Sequence, residues 1–459
     1  MSYWTRRGFL AAGLALAGCT APQRPPLGPI YRATRGNVDQ PPLVVIPGAF
    51  GSSLRDRRSG REIWPGTNPH LLVSNYRDLE LEIDPATLDP IAGDVEAYQV
   101  FREGLGRDFY GKVLDMLEDA GGYTRARPGG APRAGQRNYY VYLYDWRLDN
   151  VAAARGLHEL IEAIRSDYGD PRMQVDVLAH SNGGLLARYY ARYGTADLPS
   201  DGEFEPTQAG APAIRRLLIV GTPNLGTMQP VLANLRGEEI GLRRIPQEVV
   251  ATCTGAPQMM PHPAIPWIVD REGRDLPLPL FDIATWRENG WSIFDPRVAE
   301  RAIGQHGGGR AGREYLELLR AYMAKHLLRG RRFMESLAVP GGPGELHPYV
   351  FGGDCELTLA RVVGERVGGR LLARERVEDI SSPRGGVDYQ SLMFEPGDTV
   401  VTRSSLLGRR TLNVAAPRTE FESIEVANSV FLCEEHQALT GNATFQNNLL
   451  NTLLSVDVG

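Results

Sequence analysis

Apolar residues recur along the chain in two rhythms. Short runs such as Leu43-Val-Val-Ile and Leu217-Leu-Ile-Val alternate with longer stretches in which apolar positions return every three or four residues. The runs suit strands buried on both faces, and the longer period suits helices with one apolar face. Strands are predicted at 43–46, 139–144, 175–178, 217–220, 349–351 and 424–432. Helices are predicted between them, for example at 109–120 and 151–168, with a last one from about 444 to 454. This alternation predicts a mostly parallel sheet with helices on both faces.

One strand-to-helix junction carries chemistry. Gln174-Val-Asp-Val-Leu-Ala-His-Ser-Asn-Gly-Gly is an apolar strand that runs into a serine between small residues. Leu185, Leu186, Tyr189 and Tyr190 then recur at helical spacing. That context is what a nucleophile elbow requires, in an Ala-x-Ser-x-Gly form with Ala179 and Gly183 at the small positions and Ser181 at the tip. A serine hydroxyl is a weak nucleophile, so such a site needs a histidine base and a third group to orient it.

In hydrolases built on this elbow the acid and then the histidine follow the serine. Beyond residue 347 the chain has one histidine, His436, between the last predicted strand and the terminal helix. Two acids qualify: Asp398 in Glu395-Pro-Gly-Asp-Thr-Val-Val, and Asp354 directly after the strand Tyr349-Val-Phe. The loop Pro47-Gly-Ala-Phe-Gly-Ser-Ser follows the first strand, and its amides, with that of Asn182, are suited to an oxyanion hole. One such donor is worth about 2.7 to 4 kcal/mol in the transition state.

At this point the chain resembles the lecithin:cholesterol acyltransferase family, a group of α/β-hydrolases that includes lysosomal phospholipase A and phospholipid:diacylglycerol acyltransferases. The resemblance rests on Pro47-Gly-Ala-Phe-Gly-Ser-Ser-Leu, Ile63-Trp-Pro-Gly, Tyr144-Asp-Trp-Arg, Ala179-His-Ser-Asn-Gly-Gly, Gly221-Thr-Pro, Gly397-Asp-Thr-Val-Val-Thr-Arg-Ser and His436. It implies an α/β-hydrolase fold with an inserted cap and a lid loop. It also implies Ser181 as nucleophile with Asp398, rather than Asp354, and His436 as partners, and the Ala49 and Asn182 amides as the oxyanion hole. Trp64 resembles a lid tryptophan over the acyl site, in a lid from about 54 to 75 that lacks the disulfide of mammalian members. Asp145 and Arg147, which match a motif too, are expected to form a buried structural ion pair.

The first residues answer a different question. Thr5-Arg-Arg-Gly-Phe-Leu looks like a twin-arginine export signal, and Leu16-Ala-Gly-Cys19 like the lipobox of bacterial lipoproteins. The expectation is a chain exported folded and lipid-anchored through Cys19 in a bacterial cell envelope. A proline-rich stretch, 20–42, then serves as a tether. Disulfides cannot be essential for a chain that folds before export. Cys355 and Cys433, after two strands expected to be neighbours, are open to oxidation afterwards.

With 50 basic and 55 acidic residues, nucleic acid is not an indicated partner, and no histidine or cysteine lies at metal-ligand spacing. No cofactor is called for. The remaining length exceeds one compact core, so the hydrolase core is expected at 43–223 and 347–459, with a cap inserted at 224–346. The expected activity is hydrolysis of fatty acyl esters of glycerolipids through an acyl-serine. Transfer to an alcohol acceptor is the alternative, and a non-catalytic lipid- or partner-binding surface lipoprotein is a third possibility from another class.

Overall fold

The computed structural model describes residues 26–36, 40–91, 93–130, 132, 135–409 and 423–455. Arg6, Arg7 and Cys19, on which the export and lipidation expectations rest, lie outside the described residues. Part of the expected tether is docked on the core. A helical turn, Leu27–Tyr31, buries Tyr31, whose hydroxyl donates to the Asn447 carbonyl at 2.8 Å.

Among the described residues seven parallel strands form the central sheet. They are β1 (Leu43–Ile46), β2 (Tyr123–Arg125), β3 (Arg137–Val141), β4 (Val175–His180), β5 (Ile214–Val220), β6 (Tyr349–Gly353) and β7 (Asn428–Leu432), in spatial order β7-β6-β5-β4-β1-β3-β2. The helices α1 (Gly111–Asp119), α2 (Asn150–Tyr168), α3 (Asn182–Tyr193) and α6 (Ala443–Leu454) flank it, and α4 (Gln229–Arg236) and α5 (Gly309–Ala338) lie in the chain after β5.

Strand β1 shows why the sheet needs cover on both sides. Leu43 and Val45 pack into one apolar cluster with α1 and α6, while Val44 and Ile46 pack into another with α2 and α3. The one charge inside β4, Asp176, is buried but receives the Arg215 guanidinium at 2.9 and 2.5 Å. Pairing of that kind is what a buried carboxylate requires. Helix α2 starts on an Asp149 cap, whose carboxylate accepts from the Val151 amide at 2.8 Å, and ends on Gly169 at φ 65°.

Two expected strand bounds shift. β3 stops at Val141, because the following residues turn away to carry Tyr144 and Trp146 toward the site. β7 begins only at Asn428. The edge strand β2, with two polar residues in three, offered no apolar run to detect.

The insertion after β5 carries α4 and α5. Helix α5 runs for 30 residues and ends against the elbow helix α3. The Leu337 carbonyl accepts from Arg188 at 2.9 Å and Arg192 at 2.7 Å, and Tyr193 donates to the Ser336 carbonyl at 2.7 Å. Cations there satisfy the orphan carbonyls and the negative end of the helix dipole. A second insertion, between β6 and β7, joins the first: its hairpin Val362–Val367 and Arg370–Arg374 pairs in parallel with Ile268–Val269.

The segment expected as a lid, 54–75, is built into the body. Ser52–Asp56 and Glu62–Trp64 form a three-stranded antiparallel sheet with Val95–Val100.

Candidate active site

The carboxyl ends of β1, β4, β5, β6 and β7 lie side by side, so the segments that leave them converge. Ser181 follows β4 directly, with φ 54° and ψ −125°, a strained backbone that turns its hydroxyl out of the sheet. The glycines around it are sterically required. A Cβ on Gly183 would lie 2.7 Å from the Pro47 carbonyl oxygen, and one on Gly48 would lie 2.7 Å from Ser181 Cβ.

The structure brings the three expected side chains together. His436 Nε2 lies 3.0 Å from Ser181 Oγ, and His436 Nδ1 lies 2.8 Å from Asp398 Oδ2. Asp398 Oδ1 accepts from the Val400 and Val401 amides at 3.1 and 2.7 Å, and the Asp398 carbonyl accepts the His436 amide at 2.7 Å. Both side chains are buried. A carboxylate can only accept, so His436 carries its proton on Nδ1 and turns a lone pair on Nε2 toward the serine hydroxyl. Asp354 lies apart, paired with Arg403 at 3.3 Å.

Ala49 lines the same cavity as Ser181, and Asn182 follows the serine at the start of α3. Neither amide donates a hydrogen bond to another group among the described residues. Their positions are tied together by side chains. Tyr144 donates to the Pro47 carbonyl at 3.0 Å and accepts from Asn182 Nδ2 at 3.2 Å. Asn182 and Asn150 exchange amide hydrogen bonds at 2.9 and 2.8 Å.

Sequence reading missed two groups behind the serine. The Tyr110 hydroxyl accepts the Gly48 amide at 2.8 Å and lies 2.7 Å from His180 Nδ1. His180 Nε2 lies 3.2 Å from the His436 carbonyl oxygen. Burial, and then the neighbouring His436, push His180 down to about 3, so its ring is neutral. Tyr110 therefore donates to Nδ1, and Nε2–H donates to the His436 carbonyl, which links the loop at Gly48 to the backbone of His436. Adjacency to Ser181 was the only sequence signal for His180, and Tyr110 had none.

A cavity of about 130 Å³ opens over Ser181 and His436, lined mainly by apolar side chains, among them Phe50, Leu79, Trp146, Pro230, Ile245 and Met259. No residue from 54 to 75 lines it, so Trp64 does not cover this site. Trp64 is buried one layer behind. Its indole donates to the Phe50 carbonyl at 2.8 Å, and its ring packs 5.2 Å from that of Phe50 and 5.7 Å from that of Trp146. The hairpin of Glu238–Ile240 and Arg243–Ile245 stands at the cavity instead.

Two expectations beside the site meet direct contacts. Arg147 and Asp145 form a bidentate buried pair at 2.9 and 2.6 Å. Cys355 and Cys433 form a disulfide between the ends of β6 and β7. Among the described residues the free thiol is Cys253, held protonated because burial pushes it up to about 12.

This sheet, with an elbow serine at the end of a central strand and helices on both faces, is an α/β-hydrolase fold. Residues 135–269, which contain the elbow but neither Asp398 nor His436, match the family described as lecithin:cholesterol acyltransferase. Among solved structures the chain is similar to one in the Tle4–Tli4 complex, at 16% identity, covering 91% of this chain and 98% of that one with a TM-score of 0.57. More distant matches are the mature lipase BlEst2 of Bacillus licheniformis, at 11% identity over 91% of this chain and 96% of that one (TM-score 0.32), and EstA of Clostridium botulinum, at 12% over 91% and 88% (TM-score 0.34). No curated protein is significantly similar to the chain.

Proposed function

We propose that this chain is a serine-dependent hydrolase of fatty acyl esters of glycerolipids. The observation that carries the reading is the contact of His436 with both Ser181 at 3.0 Å and Asp398 at 2.8 Å beneath an apolar cavity. His436 Nε2 takes the Ser181 proton as Oγ attacks the ester carbonyl, and Asp398 balances the imidazolium. The oxyanion is received by the Ala49 and Asn182 amides. His436 then returns its proton to the departing alcohol, which leaves an acyl-serine. Water activated by the same ring releases the fatty acid and restores the serine.

A bound alcohol in place of water would give a transferred ester through the same residues, and the family matched over residues 135–269 supports this second reading. Two measurements test the pair. A fluorophosphonate probe is expected to label Ser181 and to fail on Ser181→Ala; a folded wild-type protein that takes no label would favour a lipid- or partner-binding protein. Products from a monoacylglycerol, with and without a long-chain alcohol, then separate free acid from new ester.

We further propose that Cys19 carries a lipid anchor in a bacterial envelope, on the support of the sequence signal alone. Incorporation of labelled fatty acid into the wild type but not into Cys19→Ser is the expected result, and equal labelling would refute it.

A further inference from the structure

Most of the cavity over Ser181 is apolar, as an acyl chain requires, but its wall also carries polar side chains, Thr227, Gln437 and a hydrogen-bonded pair. Gln229, at the start of α4, and Glu238, at the base of the hairpin, face it together. Gln229 Nε2 donates to Glu238 Oε1 at 2.8 Å. Among the described residues no other side-chain hydrogen bond is made by either group, and no cation lies within ion-pair distance of Glu238. The nearby Arg236 is engaged by Glu375 at 2.9 Å and Glu239 at 3.5 Å.

The same two residues also line an adjoining hollow of about 260 Å³, and the two spaces share Thr227, Ala233 and Val400 as well. This hollow is more polar than the cavity: Arg236, Glu239 and Thr399 stand in its wall beside Met228, Leu232 and Leu359. Gln229 and Glu238 therefore stand between a largely apolar space at Ser181 and a more polar one behind.

A pair of this kind has a defined recognition chemistry. Its first hydrogen bond uses one amide proton and one carboxyl oxygen, which leaves a second amide proton, the amide oxygen and the other carboxyl oxygen. That set both donates and accepts, as a hydroxyl does. Burial pushes the Glu238 carboxyl up to about 7, so it enters the site as acid as readily as carboxylate. A group with that freedom is matched to a neutral alcohol better than to an anion or a fixed cation.

We propose that Gln229 and Glu238 form the alcohol subsite, holding a free hydroxyl of a polyol whose neighbouring oxygen carries the acyl group that Ser181 attacks. This deepens the hydrolase reading and rests on it. The substrate class it selects is an acyl ester of a polyol with at least one free hydroxyl beside the ester. The acyl chain would occupy the apolar cavity, and the polyol would point toward the more polar hollow. In the transfer reading, the same pair would orient the acceptor alcohol.

The test compares kcat/KM for a monoacylglycerol with that for the ethyl ester of the same fatty acid. Wild type is expected to favour the glyceryl ester. Glu238→Leu and Gln229→Leu are expected to lose about tenfold or more on the glyceryl ester, the scale of a hydrogen bond to a substrate hydroxyl, and to stay within about twofold on the ethyl ester. Glu238→Gln, which keeps a donor and an acceptor, is expected to retain most of the preference. Equal loss on both esters, or no loss on either, overturns the proposal. If Glu238→Gln falls as far as Glu238→Leu, a negative charge is needed and the subsite takes a cationic group instead, which also overturns it. Fluorophosphonate labelling and Tm of each variant separate the two levels. Labelling at the wild-type rate without discrimination between esters sinks the subsite alone, whereas a wild type that neither labels nor cleaves either ester sinks the hydrolase reading and the subsite with it.

Discussion

Replacing Gly48 by alanine tests how tightly the loop after β1 is held against Ser181. The added Cβ would lie 2.7 Å from Ser181 Cβ and 3.2 Å from the His180 carbonyl oxygen. Ordinary carbon contacts lie at about 3.5 to 4.0 Å, so either the serine or the loop must retreat by about 1 Å. Neither is free to do so without loss. Ser181 is fixed by its amide, which donates to the Val220 carbonyl at 2.8 Å, and the loop is fixed by Tyr110 and Tyr144. A displacement of about 1 Å at a reacting centre costs about 100-fold in rate, or about 2.7 kcal/mol of barrier. The assay is the second-order rate of fluorophosphonate labelling, measured on protein of checked Tm. Gly304→Ala is the control, since a methyl there meets nothing within 4 Å. In a helix it should raise stability by about 0.5 to 1 kcal/mol and leave labelling unchanged. Labelling of Gly48→Ala at the wild-type rate, with Tm unaltered, would refute the claim that this approach positions the Ala49 amide.

Arg147→Ala leaves Asp145 partly buried without its partner, and a loss of about 3 to 5 kcal/mol in urea unfolding is expected. Activity per folded molecule should persist, since neither residue lines the cavity, and selective loss of activity at unchanged stability would contradict this. Reducing Cys355–Cys433, which closes a loop of 78 residues, should lower stability by up to about 4.5 kcal/mol on the loop-entropy account. An unchanged denaturation midpoint in reductant would speak against it. Stability should also fall in acid. Burial holds His180 at about 3 and His262 and His326 at about 4. Their contribution is present in full above about 6.5 and lost as the pH falls toward those folded values, because the unfolded chain takes up protons that the native one refuses. Each adds up to about 1.4 kcal/mol per pH unit. Glu238, raised to about 7, acts in the opposite sense between about 4.5 and 7. The net slope between pH 6.5 and 5 should be about 2 to 3 kcal/mol per unit, rising in Glu238→Gln, and a flat urea midpoint over that range would refute it.

Much of the site was legible because its chemistry is local. The elbow is a contiguous run, and Gly48 and Gly183 stand where backbones touch, so both sequence and structure demand them. Position along the chain singled out His436, while Asp398 and Asp354 could not be separated by residue type and were separated by a motif. What escaped depends on contacts far apart in sequence. Tyr110 reaches His180 across 70 positions. Trp64 sits in a matching motif, yet packing against Phe50 and Trp146 turns it away from the cavity. The second insertion went unseen because Val362 pairs with Ile268, a parallel contact that no local pattern announces.

The covalent tie between the ends of β6 and β7 has a consequence for how this molecule survives damage. Asp398 lies inside the ring it closes and His436 three residues beyond Cys433. A protease that cuts the chain once between the two half-cystines would leave a single particle with both fragments still leashed together. Such a nicked molecule would migrate intact until a thiol reagent freed the pieces, so its lifetime is governed by redox conditions as much as by proteolysis.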